Sequence, residues 1–223
     1  MTQAIVAEGL HVRRGESDVL TGVSFTLEQQ KVLAFIGGNG AGKSTTLLAL
    51  LGLLPLTKGR VTVLGEDVAK NAKSVRKNTG YLPETAALYD HLTALENAQY
   101  FLSLAEVKAS NEDIFDTFKR VDLPEDAWTR RANALSKGMR QKVAIAMCIL
   151  RRTRLILFDE PTSGLDPAAI DDFHTLIEAL RTDGTSILMV THDLFGACET
   201  ADQIVLLQNG TVVGRFRPRQ QRR

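Results

Sequence analysis

Long apolar runs are missing from this 223-residue chain. The longest, Leu47 to Leu56, is broken by Gly52 and Pro55, whereas a spanning helix needs about 18 or more apolar residues. A basic start and an apolar core are also missing from Met1-Thr2-Gln3-Ala4-Ile5, so no signal peptide is expected. Cysteine is scarce. Cys148 and Cys198 stand in apolar-patterned segments without metal-type spacing, and both read as reduced core thiols. An excess of one charge is lacking too: 27 basic and 26 acidic side chains leave a formal charge of +1, and no global field favours nucleic acid or a membrane surface. These absences point to a soluble, intracellular protein without a nucleic-acid partner. The stretch 215–223 is the local exception, with five Arg and no acid, which leaves −4 on the rest of the chain. It reads as a solvated, frayed terminus, with contact to a membrane surface as the alternative.

What is present is ordinary in amount and informative in pattern. Hydrophobic residues at 44% and charged residues at 24% exclude disorder, and the length suits one large domain or a domain with an inserted subdomain. Residues 4–12 and 19–27 alternate as strands around a turn at 15–18, and 32–36 is a short continuous apolar run, the pattern of a strand buried on both faces. Residues 43–54 read as a helix halted by Pro55, and 59–64 as another strand. From about Thr85 to Leu150 the period turns helical. Thr93 to Glu96 and Ser110 to Asp113 resemble capping boxes, and Ile114, Phe115, Phe118 and Val121 form one apolar stripe. Residues 136–150 make a third helix; then strands at 155–158, 186–190 and 204–207 alternate with a helix over 167–180. Such alternation predicts an α/β fold, a parallel sheet covered by helices. The expected division is a strand-rich subdomain and core over 1–84 and 151–214, a helical subdomain over 85–150, and the basic tail over 215–223.

Two motifs carry chemistry. Gly37, Gly38, Asn39, Gly40, Ala41, Gly42, Lys43 and Ser44 fit GxxxxGK[ST] between a buried strand and a helix that continues with Thr45. Glycines let the chain curl so that successive N–H groups point inward, and the helix N-terminus adds positive potential. Lys43 can reach β- and γ-phosphates, and the Ser44 hydroxyl can ligate Mg2+. The pattern reads as a nucleoside triphosphate site. Far downstream, Leu155 to Phe158 ends in Asp159 and Glu160. A carboxylate at the C-terminal end of a buried strand sits where open α/β sheets bind ligands. Asp159 would hold the metal, and Glu160 could polarise an attacking water as general base. The separation of 116 positions from Lys43 to Asp159 leaves room for a sizeable insert.

That insert contains Leu135-Ser136-Lys137-Gly138-Met139, which resembles the LSGGQ signature of ATP-binding-cassette (ABC) ATPases. Ser163-Gly164-Leu165-Asp166 resembles the family's D-loop, and His192 its switch histidine, so the resemblance spans nearly the whole chain in the family's order. The resemblance implies a P-loop NTPase core, ATP and Mg2+ as ligands, and a head-to-tail homodimer enclosing two ATP molecules. Ser136 and Gly138 of one copy would then face the γ-phosphate held by Lys43 of the other, His192 would sense that phosphate, and Asp166 would communicate across the interface.

Three departures from the family pattern stand out. Glu84 replaces the Gln that usually follows the strand ending at Pro83; it can still ligate Mg2+ but adds negative charge. Lys137 and Met139 replace a Gly and the Gln of the signature; Lys137 either adds charge near phosphate or is solvated, and Met139 cannot donate a hydrogen bond. Arg14 stands where the family usually stacks an aromatic on adenine, and either stacks its guanidinium plane there or stays in solvent. His11, His91 and His174 read as surface or structural, and Trp128 with Phe115 and Phe118 as helical core. The run Tyr81 to Glu84 together with the signature is similar to bacterial export-type ATPases encoded apart from their permease. That resemblance implies an integral membrane permease as partner and a place on the cytoplasmic face of the membrane. The alternative is a soluble ABC ATPase acting on a macromolecular assembly; a single cassette without heptads argues against it.

Overall fold

The computed structural model describes residues 2–85 and 87–218. Strands β1 (Gln3–Arg14) and β2 (Ser17–Glu28) form an antiparallel hairpin whose turn is only Gly15 and Glu16. Both run past the expected ends because their outer residues are exposed and polar, and alternation marks only the half-buried part. Arg14 consequently sits on a strand, opposite Ser17. With β4 (Lys58–Val63) and β5 (Glu66–Asp67), the hairpin makes a four-stranded sheet in the order β2-β1-β4-β5.

The second sheet carries the chemistry. Its order is β10-β9-β3-β8-β7-β6, built from β3 (Val32–Ile36), β6 (Thr79–Leu82), β7 (Leu155–Asp159), β8 (Ser186–Thr191), β9 (Gln203–Gln208) and β10 (Thr211–Phe216). All pairs are parallel except β9 with β10. Every residue of β3, β7 and β8 is buried, as the apolar runs led one to expect. Side chains of β3 alternate between two cores. Val32, Ala34 and Ile36 join one with Ile145 and Ile156, while Leu33 and Phe35 join the other with β1 and β2 residues. Phe35 meets Phe25 edge-on at a centroid distance of 4.7 Å.

Helix α1 (Lys43–Leu50) is shorter than its apolar run. Gly52 takes φ +63°, and the amides of Gly52 and Leu53 close back on Ala49 and Leu48, so the helix ends before Pro55 is reached. Helix α2 (Val68–Lys77) has no counterpart in the sequence pattern because it buries only Val68 and Val75; Asp67 caps it by accepting from Ala69 N at 3.0 Å. Helices α3 (Ala94–Leu104) and α4 (Asn111–Arg120) begin at complete capping boxes on Thr93 and Ser110. They pack on α5 (Lys137–Leu150), with Ile114 and Phe118 wholly buried and Phe115 stacked on Trp128 at 4.8 Å. Helix α6 (Pro167–Thr182) starts at Asp166, which accepts from Ala169 N at 3.0 Å.

Two expectations are corrected. Helix α7 (Leu194–Thr200) buries only Gly196, Ala197 and Thr200, so Cys198 is exposed while Cys148 lies in the core. The basic stretch does not fray at its start: Arg215 lies on β10 opposite Val205 and donates from Nη2 to Ser24 O at 2.5 Å. Arg219, Arg222 and Arg223 lie outside the described residues. Among the described residues no helix is long and apolar enough to cross a membrane.

Candidate active site

Sheet order assembles the site. Strands β3 and β7 flank β8, so Lys43 after β3, Asp159 at the end of β7 with Glu160 just after it, and His192 after β8 arrive at neighbouring C-terminal strand ends. Lys43, Glu160 and His192 line one cleft of about 730 Å³ together with Arg14, Val19, the other residues from Asn39 to Thr45, Glu84 and Ser163; Asp159 is not among them but bonds Ser44, which is. Val19 and Ser163 are additions; a Val at a strand start carries no chemical signal in a sequence, and Ser163 stood there only as part of a loop.

The loop from Gly37 to Gly42 is shaped by close approach. A Cβ on Gly37 would come within 2.3 Å of Leu207 O, and Gly42 takes φ +100° with Leu20 directly behind it. Ala41 N bonds Gly38 O and Gly210 N bonds Ala41 O, which fixes the curl against β9 and the turn that follows it. Lys43 is buried, and its ammonium donates to Gly37 O at 2.8 Å and Gly38 O at 3.3 Å. It also stands 3.6 Å from Glu160 Oε1.

Glu160 takes φ +48°, a left-handed backbone that costs a non-glycine residue about 1 kcal/mol. Its amide bonds Val190 O and its carbonyl accepts from Ser163 N, so strand and turn both enforce the conformation. The twist returns the carboxylate toward the cleft. Oε2 accepts from His192 Nδ1 at 2.9 Å and from His192 N at 3.3 Å. Because an ionised carboxylate only accepts, the imidazole hydrogen lies on Nδ1. Lys43, Glu160 and His192 thus form one connected set.

Ser44 Oγ donates to Asp159 Oδ1 at 3.0 Å. Burial pushes the Asp159 carboxyl up to about 6; the charges of Glu84 and Glu160 push the same way, against the Ser44 hydrogen bond and Lys43. Neighbouring Tyr81 is pushed up to about 12 by burial and by Asp159. A carboxylate raised this far is short of positive charge, which a divalent cation would supply. Ser44, Asp159 and Glu84 offer the oxygen donors Mg2+ takes, so the residues fit it. Among the described residues no group of three or more His, Cys, Asp or Glu is gathered for a metal, so phosphate oxygens and water would complete the coordination.

Ser136, Gly138 and Asp166 are not among the residues lining this cleft. Ser136 caps α5, accepting from Met139 N at 3.2 Å, and Asp166 caps α6. Met139 is partly buried against the core, so its place in the signature is one of packing. Lys137 is exposed, and it donates to Ser163 Oγ at 3.1 Å.

The comparisons with known proteins agree with this geometry. A family model described as ABC transporter matches residues 20–163. The ABC transporter ATP-binding protein NatA of Bacillus subtilis (strain 168) is 38% identical over 200 residues, covering 86% of this chain and 79% of NatA. The zinc import ATP-binding protein ZnuC of Cereibacter sphaeroides is 37% identical over 204 residues, covering 91% of this chain and 78% of ZnuC. A dimeric ATP-binding cassette solved in a post-hydrolysis state with ADP and Pi superposes with a TM-score of 0.88 at 26% identity, covering 96% of this chain and 99% of that one. The chain belongs to the ABC transporter family and is an ATP-hydrolysing nucleotide-binding domain of that family.

Proposed function

We propose that two copies of this chain close head to tail around two ATP molecules and drive a separate membrane permease, in the export direction. The observation that carries the dimer is the division of the motifs. One cleft gathers the phosphate loop, Glu160 and His192, while Ser136 and Gly138 lie off it, which supports their facing the phosphate of a second copy. The first turn of α5 offers that copy free amides and the Ser136 hydroxyl, an anion-binding end.

The resting contacts support a role for each residue. Lys43 is held by Gly37 O, Gly38 O and Glu160, and incoming β- and γ-phosphates replace those partners. Glu160, freed from Lys43 but still held by His192, faces the attacking water and takes its proton as the water oxygen bonds the γ-phosphorus. The bond from the γ-phosphorus to the bridging oxygen breaks, giving ADP and phosphate. Ser44 and Asp159, with Glu84 beside them, would hold Mg2+, which neutralises charge on the phosphate oxygens. Arg14 would stack on the base, a role supported by its lining the cleft.

The permease and the export direction rest on the resemblance of Tyr81 to Glu84 and Leu135 to Met139 to separately encoded export ATPases. Function would then place the chain at the cytoplasmic face of a membrane. The test is purification of the tagged chain from detergent-solubilised cells. A polytopic membrane protein in stoichiometric yield is expected; ribosomes or DNA instead would overturn the transport reading.

A further inference from the structure

The signature helix and the nucleotide cleft of the same chain are joined by one side chain. Lys137 is the first residue of α5. It crosses to the loop between Glu160 and α6, where its ammonium meets Ser163 Oγ at 3.1 Å. Its methylenes lie flat over Gly164: a Cβ there would stand 2.7 Å from Lys137 Cδ and 2.9 Å from Cε. Gly164 takes φ +83°, so this position suits glycine for both backbone and space. On the helix side, a Cβ on Gly138 would reach 3.1 Å from Gly164 O. Helix and loop are therefore in contact glycine to glycine, with the lysine stem as cover.

A second link lies one helical turn on. Gln141, buried, donates from Nε2 to Pro161 O at 3.1 Å. Residues 137 and 141 share one face of α5, so two bonds clamp that face to the loop that begins at Glu160. Ser163 itself lines the nucleotide cleft with Glu160 and His192.

We propose that Lys137 is a positioning residue that ties the phosphate-facing end of α5 to Ser163 of the same chain, so that the cleft and the surface offered to a second copy move together. This rests on the dimer reading above. A lysine reaching directly for the opposing phosphate is the competing role, and Ser163 separates the two. If Lys137 acts through Ser163, removing either partner has the same effect and removing both adds nothing. If it touches phosphate directly, Ser163→Ala leaves dimerisation alone.

The test uses the full chain in a Glu160→Gln background, with the ATP-dependent dimerisation constant read by sedimentation. Lys137→Met, which keeps most of the stem, and Ser163→Ala are each expected to weaken dimerisation about fivefold, and the double variant no further. Lys137→Arg is expected to restore it. Hydrogen exchange on the monomer provides a readout that needs no dimer. Amides 138–140 and 163–166 are expected to exchange about fivefold faster in both Lys137→Met and Ser163→Ala. If the parent does not dimerise, the dimer reading fails and exchange alone decides the strut. Unchanged exchange in Lys137→Met, or additive losses in the double variant, would overturn the proposal.

Discussion

Glu160→Gln pulls apart two roles proposed for one carboxylate. As general base, Glu160 is worth about 100- to 10,000-fold in hydrolysis rate, and glutamine, which accepts no proton, removes that. As a resting partner of Lys43, the same carboxylate competes with the phosphates of ATP. The pair stands at 3.6 Å with side chains only 7% and 12% exposed. Unit charges at that separation attract by about 4.6 kcal/mol at an effective dielectric of about 20. Desolvation cancels most of this, leaving about 1 to 2 kcal/mol as the net cost of breaking the pair. ATP binding to the variant is therefore expected to tighten about 5- to 30-fold, and removal of a negative charge beside the γ-phosphate acts in the same direction. The assay is phosphate release at saturating Mg2+-ATP, alongside calorimetric titration with ATP under conditions that keep the chain monomeric. Hydrolysis within tenfold of the parent would remove Glu160 as base. Affinity equal to or weaker than the parent's would remove the Lys43 pair as a contact that ATP must break.

Four further outcomes are expected. Asp159→Asn abolishes Mg2+-dependent hydrolysis and stabilises the nucleotide-free protein at pH 8. The carboxyl of Asp159 is raised to about 6 in the folded chain from 3.8, so its ionised form opposes folding by of order 3 kcal/mol above that pH. The cost grows from near zero below about pH 3 to its full size above about pH 6; urea unfolding should show the full gain at pH 8 and only about a third of it at pH 4.5. Glu84→Gln shifts the Mg2+ concentration for half-maximal hydrolysis, and a superimposable titration would remove Glu84 from the metal's surroundings. His192→Ala frees Oε2 of Glu160 from its 2.9 Å partner and lowers kcat by about 100-fold with little change in ATP affinity, to be read from initial rates. Phe118→Ala, wholly buried in the helical region, destabilises by about 3 to 5 kcal/mol, measurable as a lowered urea midpoint.

The parts legible in the sequence are those with a strong local rule. Runs of four or five apolar residues announced β3, β7 and β8, and the capping boxes at Thr93 and Ser110 formed as written. The GxxxxGK[ST] pattern and the Asp159-Glu160 pair announced the cleft because their spacing is fixed by backbone chemistry. Helix α2 escaped because it buries two residues and so has almost no apolar stripe, and α1 was drawn too long because Gly52 overrides an apolar continuation. The fate of Lys137 could not be read at all. Its partner Ser163 is 26 residues away, and only packing of α5 against the loop after β7 brings them together. Arg215 shows the converse: a run of Arg suggests a solvated tail, yet pairing with β9 and a bond to Ser24 O draw the first of them into the sheet.

The central claim is that the cleft is half of a site completed by a second copy with ATP. The most direct measurement is the mass of the Glu160→Gln protein in solution, by light scattering behind a sizing column, with and without Mg2+-ATP. The account requires a monomer of 24.5 kDa without nucleotide and twice that mass with it. A monomer at every ATP concentration, or a dimer that forms without ATP, would contradict it.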